Sequence, residues 1–253
     1  MSVNEKMTAI ADSIREKTGS TGKLSLDQMV TSIGEVYEVG KEVGETEGIE
    51  RLCNAITWNY NRKDYQYAFY WTDYSWLTFP QTVYPTSSIY RIFSSYQGTE
   101  LPKNISFEKV TYSGTHQFQT CTYLTHVPDL NWAAQSAYTA TFQNCSRLVT
   151  IDVLRVKEST TFDSTFYNCR ALVDITFEGS IGQNITFEFS VVLSKASIKG
   201  IIEHLSDSAS GKTLTLTTEA VTAAFGSTTA TEWTNLVATK SNWTITLIQG
   251  VSA

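Results

Sequence analysis

The sequence predicts an α+β fold: a short parallel β solenoid of 24-residue repeats, preceded by an α-helical hairpin or coiled-coil segment and closed by an α/β C-terminal cap. Three observations carry this expectation. Phe118, Cys121, Leu124 and Val127 recur as Phe142, Cys145, Leu148 and Ile151, and again as Phe166, Cys169, Leu172 and Ile175, every step being 24 residues. Apolar residues at helical spacing mark the start of the chain. Beyond residue 196 the 24-residue pattern fails, and helix-like and strand-like stretches alternate instead. The expected organisation is a helical attachment and oligomerisation segment (1–56), an aromatic-rich β segment capping the solenoid (57–100), the solenoid (101–196) and the α/β cap (197–253).

In the first segment, Val3, Met7, Ile10 and Ile14 form the apolar seam of a short amphipathic helix, which Gly19 and Gly22 end. Ser25 and Gln28 have the spacing of a capping box. Leu26, Met29, Ile33, Val36, Gly40 and Val43 then continue a 3-4-3-4-3 stripe. So narrow a seam fits either a hairpin packed on its own domain or self-association. Leu26, Met29, Ile33, Val36 and Val43 are the candidate oligomerisation seam, and its β-branched positions favour a trimer.

From Trp58 to Tyr96, 14 of 39 residues are aromatic. Tyr65, Tyr67, Phe69 and Trp71 alternate as one face of a strand, so that Tyr70, Tyr74 and Trp76 would look the other way. Such a belt serves as core, as subunit interface or as a platform for sugar rings. Tyr70, Tyr74 and Trp76 are therefore the candidate ligand-binding residues.

In the repeats, stacked coils place equivalent strands about 4.8 Å apart in a parallel ladder, with the Phe and Cys positions inside. Phe118, Cys121, Leu124, Phe142, Cys145, Leu148, Phe166, Cys169 and Leu172 are the expected repeat core, and a worn fourth copy is expected around Phe93 and Tyr96. Cysteine at this phase reads as a small apolar residue in a buried thiol ladder. One Cys per coil, without CxxC pairing, lacks the spacing of a zinc site, so no metal and no cofactor is expected. The cap reads as a helix over Ile198–Leu205 closed by Gly211, a strand at Leu214 and Leu216, a helix capped by Thr218 and running to Phe225, a helix from Glu232 to Ala238 and a strand from Trp243 to Leu247.

Composition narrows the function classes. With 253 residues, 42% hydrophobic and 17% charged, the chain is an ordinary globular protein. A formal charge of −6 without a basic cluster leaves no footprint for nucleic acid. The start lacks a signal-peptide pattern, and no apolar run nears the roughly 20 residues of a membrane span. Synthesis in a cytoplasm, without membrane insertion, is expected.

Catalytic motifs are scarce. Ser208–Thr213 ends like a phosphate-binding loop, but lacks the leading glycine and the strand–loop–helix context. His116, His126 and His204 lie outside any nucleophile motif, and GxSxG and HExxH are missing from the sequence. Asn104, Asn144, Asn184 and Asn242 begin Asn-x-Ser/Thr triplets, read as chance matches.

Three stretches resemble a known family. MTAIADSIREKTGSTGKLSLDQMVTSIGEVYEVGK is similar to the N-terminal module of tail structural proteins from phages and prophages of Gram-positive bacteria. FQNCSRLVTIDV and FYNCRALVDITF resemble their BspA-type leucine-rich repeats. IKGIIEHLSDSASGKTLTLTTEAVTAAFG with ATEWTNLVATKSNWTITLI resembles their C-terminal cap. The resemblance implies a leucine-rich-repeat solenoid in a virion tail or tail tip, held to other tail or baseplate proteins by the N-terminal helices. It also implies non-catalytic recognition of a host-surface glycan or protein. The repeat alone suits a bacterial surface adhesin equally, and a tail-associated enzyme degrading cell wall or capsule is a third class.

Overall fold

The computed structural model describes residue 12 and residues 69–71, 73–75, 78–85, 89–110 and 115–250. The N-terminal seam from Leu26 to Val43, and Tyr65, Tyr67 and Trp76, lie outside the described residues. Among the described residues the order is β1 (Thr78–Val83), β2 (Lys103–Ile105), β3 (His126–Val127), β4 (Gln135–Ala137), β5 (Thr150–Thr161), β6 (Asp174–Gly179), β7 (Ile185–Thr186), α1 (Lys195–Glu203), β8 (Lys212–Thr217), α2 (Thr218–Phe225), α3 (Thr231–Ala238) and β9 (Trp243–Ile248).

Among the described residues the strands pair only in parallel, as successive turns of a repeat require. The pairings His126↔Thr150 and Val127↔Ile151, then Thr150↔Asp174 and Ile151↔Ile175, carry the 24-residue sequence step into the ladder. A register shift follows Ile151, and Gly179 ends β6 at φ 103°. A Cβ there would lie 1.9 Å from the Val156 carbonyl oxygen, so only glycine lets the two coils meet.

The core is a column of phenylalanines. Phe69, Phe93, Phe118, Phe142, Phe166 and Phe187 stack in turn, with ring centroids 4.6, 5.3, 5.5, 6.0 and 4.6 Å apart and near-parallel planes. The column runs unbroken from the aromatic-rich segment through the repeats. Each ring removed from water contributes about 1.5–3 kcal/mol, before any stacking term. Trp132 packs edge-on against Phe118 and Phe142 of this column, and Tyr138 packs edge-on against Trp132.

Three residues on, the thiols of Cys121, Cys145 and Cys169 donate to the carbonyls of Phe93, Phe118 and Phe142 at 2.9, 2.9 and 3.0 Å. Tyr96 and Ser190 fill the same phase in the flanking coils. The Tyr96 hydroxyl donates to Glu100 O and accepts from Tyr74 N, while that of Ser190 donates to Cys169 O. Burial pushes the Cys121 and Cys169 thiols well above the ordinary range. Leu124, Leu148 and Leu172 are buried where each coil bends toward its strand, and Leu193 is buried at the same phase before α1.

The turns around Phe93, Phe118, Phe142 and Phe166 use left-handed backbone on both sides. Arg91 and Ser95, His116 and Thr120, Ala140 and Asn144, and Ser164 and Asn168 all have φ between 51 and 64°. Their amides reach the next coil, as in Ser95 N to Gln119 O at 2.7 Å and Asn144 N to Tyr167 O at 2.8 Å. Trp71 has the same phase and a φ of 58°. The strand expected from the alternation of Tyr65, Tyr67, Phe69 and Trp71 is therefore corrected at its described end: Phe69–Trp71 form a turn, with Phe69 inward.

The cap elements lie close to their expected bounds, with two corrections. Helix α1 ends at Glu203 with His204 as its C-cap, and Gly211 instead turns the chain into β8. Helix α2 is capped by Thr217, whose hydroxyl accepts from Ala220 N at 3.2 Å. The loop after α1 is fastened by three donors. Lys240 Nζ bonds Leu205 O at 2.6 Å, Trp243 Nε1 bonds Ser206 O at 2.8 Å, and Asn242 Nδ2 bonds Ala209 O at 2.6 Å.

Candidate functional site

The repeat turns carry exposed aromatic residues: Tyr70, Trp71, Tyr123 and Tyr167. At the first described coil Tyr70 is 40% and Trp71 62% exposed, their rings edge-to-face with centroids 6.0 Å apart. Tyr74 faces inward instead: it is half-buried, meets Phe69 edge-on at 5.6 Å and packs on the core. The structure thus separates Tyr70 from Tyr74, and Trp76 lies outside the described residues. Trp71, placed by strand alternation on the same face as Phe69, is the exposed ring that the sequence reading missed. The signal was there, because Trp71 follows Phe69 by two residues, as Asn144 follows Phe142 and Asn168 follows Phe166.

Farther along, aromatic and cationic groups alternate. Arg147 lies over the exposed Tyr123 ring, with Cζ 5.5 Å from the centroid. The exposed Tyr167 meets Phe189 edge-on at 4.6 Å, and Arg170 lies 5.9 Å over Phe189. Arg170 Nε donates to Asn168 Oδ1 at 2.6 Å, and Asn168 donates to Asn144 at 3.1 Å, so the guanidinium is anchored to the stack. Val149 and Val192 are exposed among these coils. A stable scaffold presenting rings and cations in rows is suited to adhesive contact, since each ring offers a large apolar area with little entropy to lose.

The strand face carries paired charges. Arg155 grips Asp129 with two bonds of 2.6 and 2.8 Å and reaches Glu178 at 3.0 Å. The guanidinium holds the Asp129 carboxyl below the usual carboxylate range. His126 Nε2 lies 2.8 Å from Asp152 Oδ1. No hydroxyl or thiol nucleophile is hydrogen-bonded to His126 among the described residues, so this pair lacks the third member of a triad. His204 is occupied with Gly200 O at 2.7 Å. Among the described residues no group of three His, Cys, Asp or Glu could hold a metal.

The segment resembling a phosphate loop sits between α1 and β8, the reverse of the strand-then-helix order that phosphate binding uses. Its Ser206 and Ser208 hydroxyls both donate to the Glu158 carboxylate, which they hold below its ordinary range. A carboxylate at that place repels phosphate. The sequon asparagines bond within the fold. Asn104 donates to Phe79 O at 2.6 Å, and Asn184 accepts from Thr213 N at 2.9 Å. Among the described residues no helix is long and apolar enough to cross a membrane.

The family model for the BspA type leucine-rich repeat region (6 copies) matches residues 63–189 and 92–217, which together span more than half of the chain. Neither curated proteins nor solved structures give a match.

Proposed function

The chain belongs to the BspA-type leucine-rich-repeat family, whose repeats bind and are usually non-catalytic, and from that premise we propose that it is a surface-recognition module of the kind found in bacterial adhesins. In this reading the stacked coils form an open solenoid, and its turn flank makes the contact. The carrying observation is the set of exposed aromatic and cationic groups in the repeat turns, Tyr70, Trp71, Tyr123, Arg147 and Tyr167, on coils held together by a continuous phenylalanine column. Binding of the purified chain to bacterial cells tests this. Trp71→Ala and Tyr167→Ala, folded as judged by thermal melting, are each expected to weaken adherence, roughly tenfold for a central ring. Unchanged adherence in both variants would remove the flank from the contact.

A second reading, a phage tail or tail-tip protein, is supported by the resemblance of residues 7–41 and of the cap to phage structural proteins. There the N-terminal seam would trimerise the chain and join it to other tail or baseplate proteins, placing it in the virion. Three weak host-surface glycan sites would then act together, Tyr70 and Trp76 contributing as ligand residues, with a gain of roughly 10² if they engage at once. Imaging of virions with a tagged chain and light scattering on the purified protein test it, and a monomer at micromolar concentration would remove the trimer. A turnover assay on purified wall and capsule separates either reading from a degrading enzyme.

A further inference from the structure

We propose that Tyr90, Arg91 and His116 form a binding site for an acidic saccharide, one bearing a carboxylate or phosphate group on a sugar ring. The inference rests on the surface-recognition reading and adds to it a ligand class and a place. Arg91 and His116 each stand two residues before a stacked phenylalanine, in adjacent coils, with φ of 53 and 64°. The inter-coil bond from Arg91 N to Thr115 O, 3.2 Å, fixes this juxtaposition. Both side chains address one ring: Arg91 Cζ lies 5.4 Å from the Tyr90 centroid, and His116 meets the ring edge-on at 5.7 Å. Thr115 Oγ1 sits 2.5 Å from His116 Nδ1, leaving Nε2 as the ring nitrogen for an outside group.

The charge at this place is uncompensated. Arg155 has two carboxylates, whereas Arg91 has none in ion-pair range among the described residues. Its Nε is shut off from water and has no acceptor. At Nε the half-buried guanidinium has lost hydration without gaining an acceptor, in a chain whose net charge is −6. Burial and the neighbouring Arg91 hold His116 below the ordinary imidazole range, and no carboxylate offsets the effect. An anionic group is the complement of such a pair, with charge-assisted bonds to the guanidinium. The Tyr90 ring supplies the apolar surface on which the C–H face of a sugar packs, which distinguishes the site from a simple ion trap.

The test uses the full chain and three probes: oligogalacturonate for the carboxylate, a phosphomannan fragment for the phosphate, and neutral dextran. Calorimetry is expected to show binding to at least one acidic probe and none to dextran, and the preferred acid identifies the source of the charge. Arg91→Asn and His116→Asn suit left-handed backbone and should fold. Arg91→Asn is expected to lose about ten- to a hundredfold in affinity, as for one charged hydrogen bond. Lys157→Gln, on an exposed strand position, should lose nothing. No binding to either acidic probe, equal affinity in Arg91→Asn, or an equal loss in Lys157→Gln overturns the proposal. Adherence to bacterial cells, measured alongside, keeps the two ideas apart. Failure to adhere strikes the surface reading, whereas adherence without acidic-probe binding strikes this site alone.

Discussion

Replacing Thr120 with asparagine is expected to stabilise the protein, although it removes a residue that the ladder tolerates. Thr120 has φ 64°, a left-handed conformation that is unfavourable for a β-branched side chain. Left-handed backbone costs an ordinary L-residue about 1–2 kcal/mol, and asparagine considerably less. The next two coils carry asparagine at this phase, at φ 63 and 59°, with Asn168 donating to Asn144 across 3.1 Å. The substitution should therefore relieve part of the backbone cost and extend the amide row by one coil, a gain of about 0.5–1 kcal/mol. For a chain of this length that is a rise in Tm of roughly 1–4 °C, readable by calorimetry together with urea midpoints. Asn144→Thr is the reciprocal experiment and should lose a similar amount. If Thr120→Asn melts at or below the wild-type temperature while Asn144→Thr matches wild type, the left-handed turn is not where this stability resides.

Other outcomes follow from the same geometry. Cys145→Ser should cost about 1–3 kcal/mol, because the smaller and more polar hydroxyl leaves a void in a fully buried apolar site, and native-state labelling of Cys121, Cys145 and Cys169 by a thiol reagent should be slow, becoming fast only in denaturant. Gly179→Ala should destabilise by about 2 kcal/mol or more, measured by urea unfolding, because its Cβ would overlap Val156 O at a φ of 103°. Asp129 has a carboxyl depressed by Arg155, so its contribution is present above the ordinary carboxylate pKa of 3.8 and is lost as pH falls through the lower folded value. Melting curves should show Asp129→Asn less stable than wild type at neutral pH, with the two converging in acid.

The 24-residue period was legible because identical residues at Phe118, Phe142 and Phe166 must sit above one another if each coil is to pair with the next. It fixed the strand register as well, since His126, Thr150 and Asp174 share the same phase. The cap elements were legible too, because Ile198, Ile201 and Ile202 follow helical spacing and a threonine begins the next helix, although the capping hydroxyl is that of Thr217 rather than the expected Thr218. Those signals reside in neighbours along the chain or in strict repetition.

What only the tertiary structure decided concerns residues whose role depends on the coils above and below. Gln117 reads as a surface residue, yet it is buried and accepts from Thr141 of the next coil at 2.8 Å, because stacking encloses the position before each phenylalanine. Ser190 takes the place of cysteine at one end of the thiol row, a substitution that no strict sequence match would register, whereas Tyr96 at the other end belongs to the worn copy that the sequence did suggest. The split between inward Phe69 and outward Trp71 was hidden for a related reason: alternation assigns faces only in a strand, and this stretch is a turn with left-handed backbone. The pairing of Arg91 with His116 likewise needs two coils to meet. Sequence determined the repeat and its register, because those are one-dimensional. Contact across the stack determined which side chains reach the surface together, because a surface exists only once the coils have closed on one another.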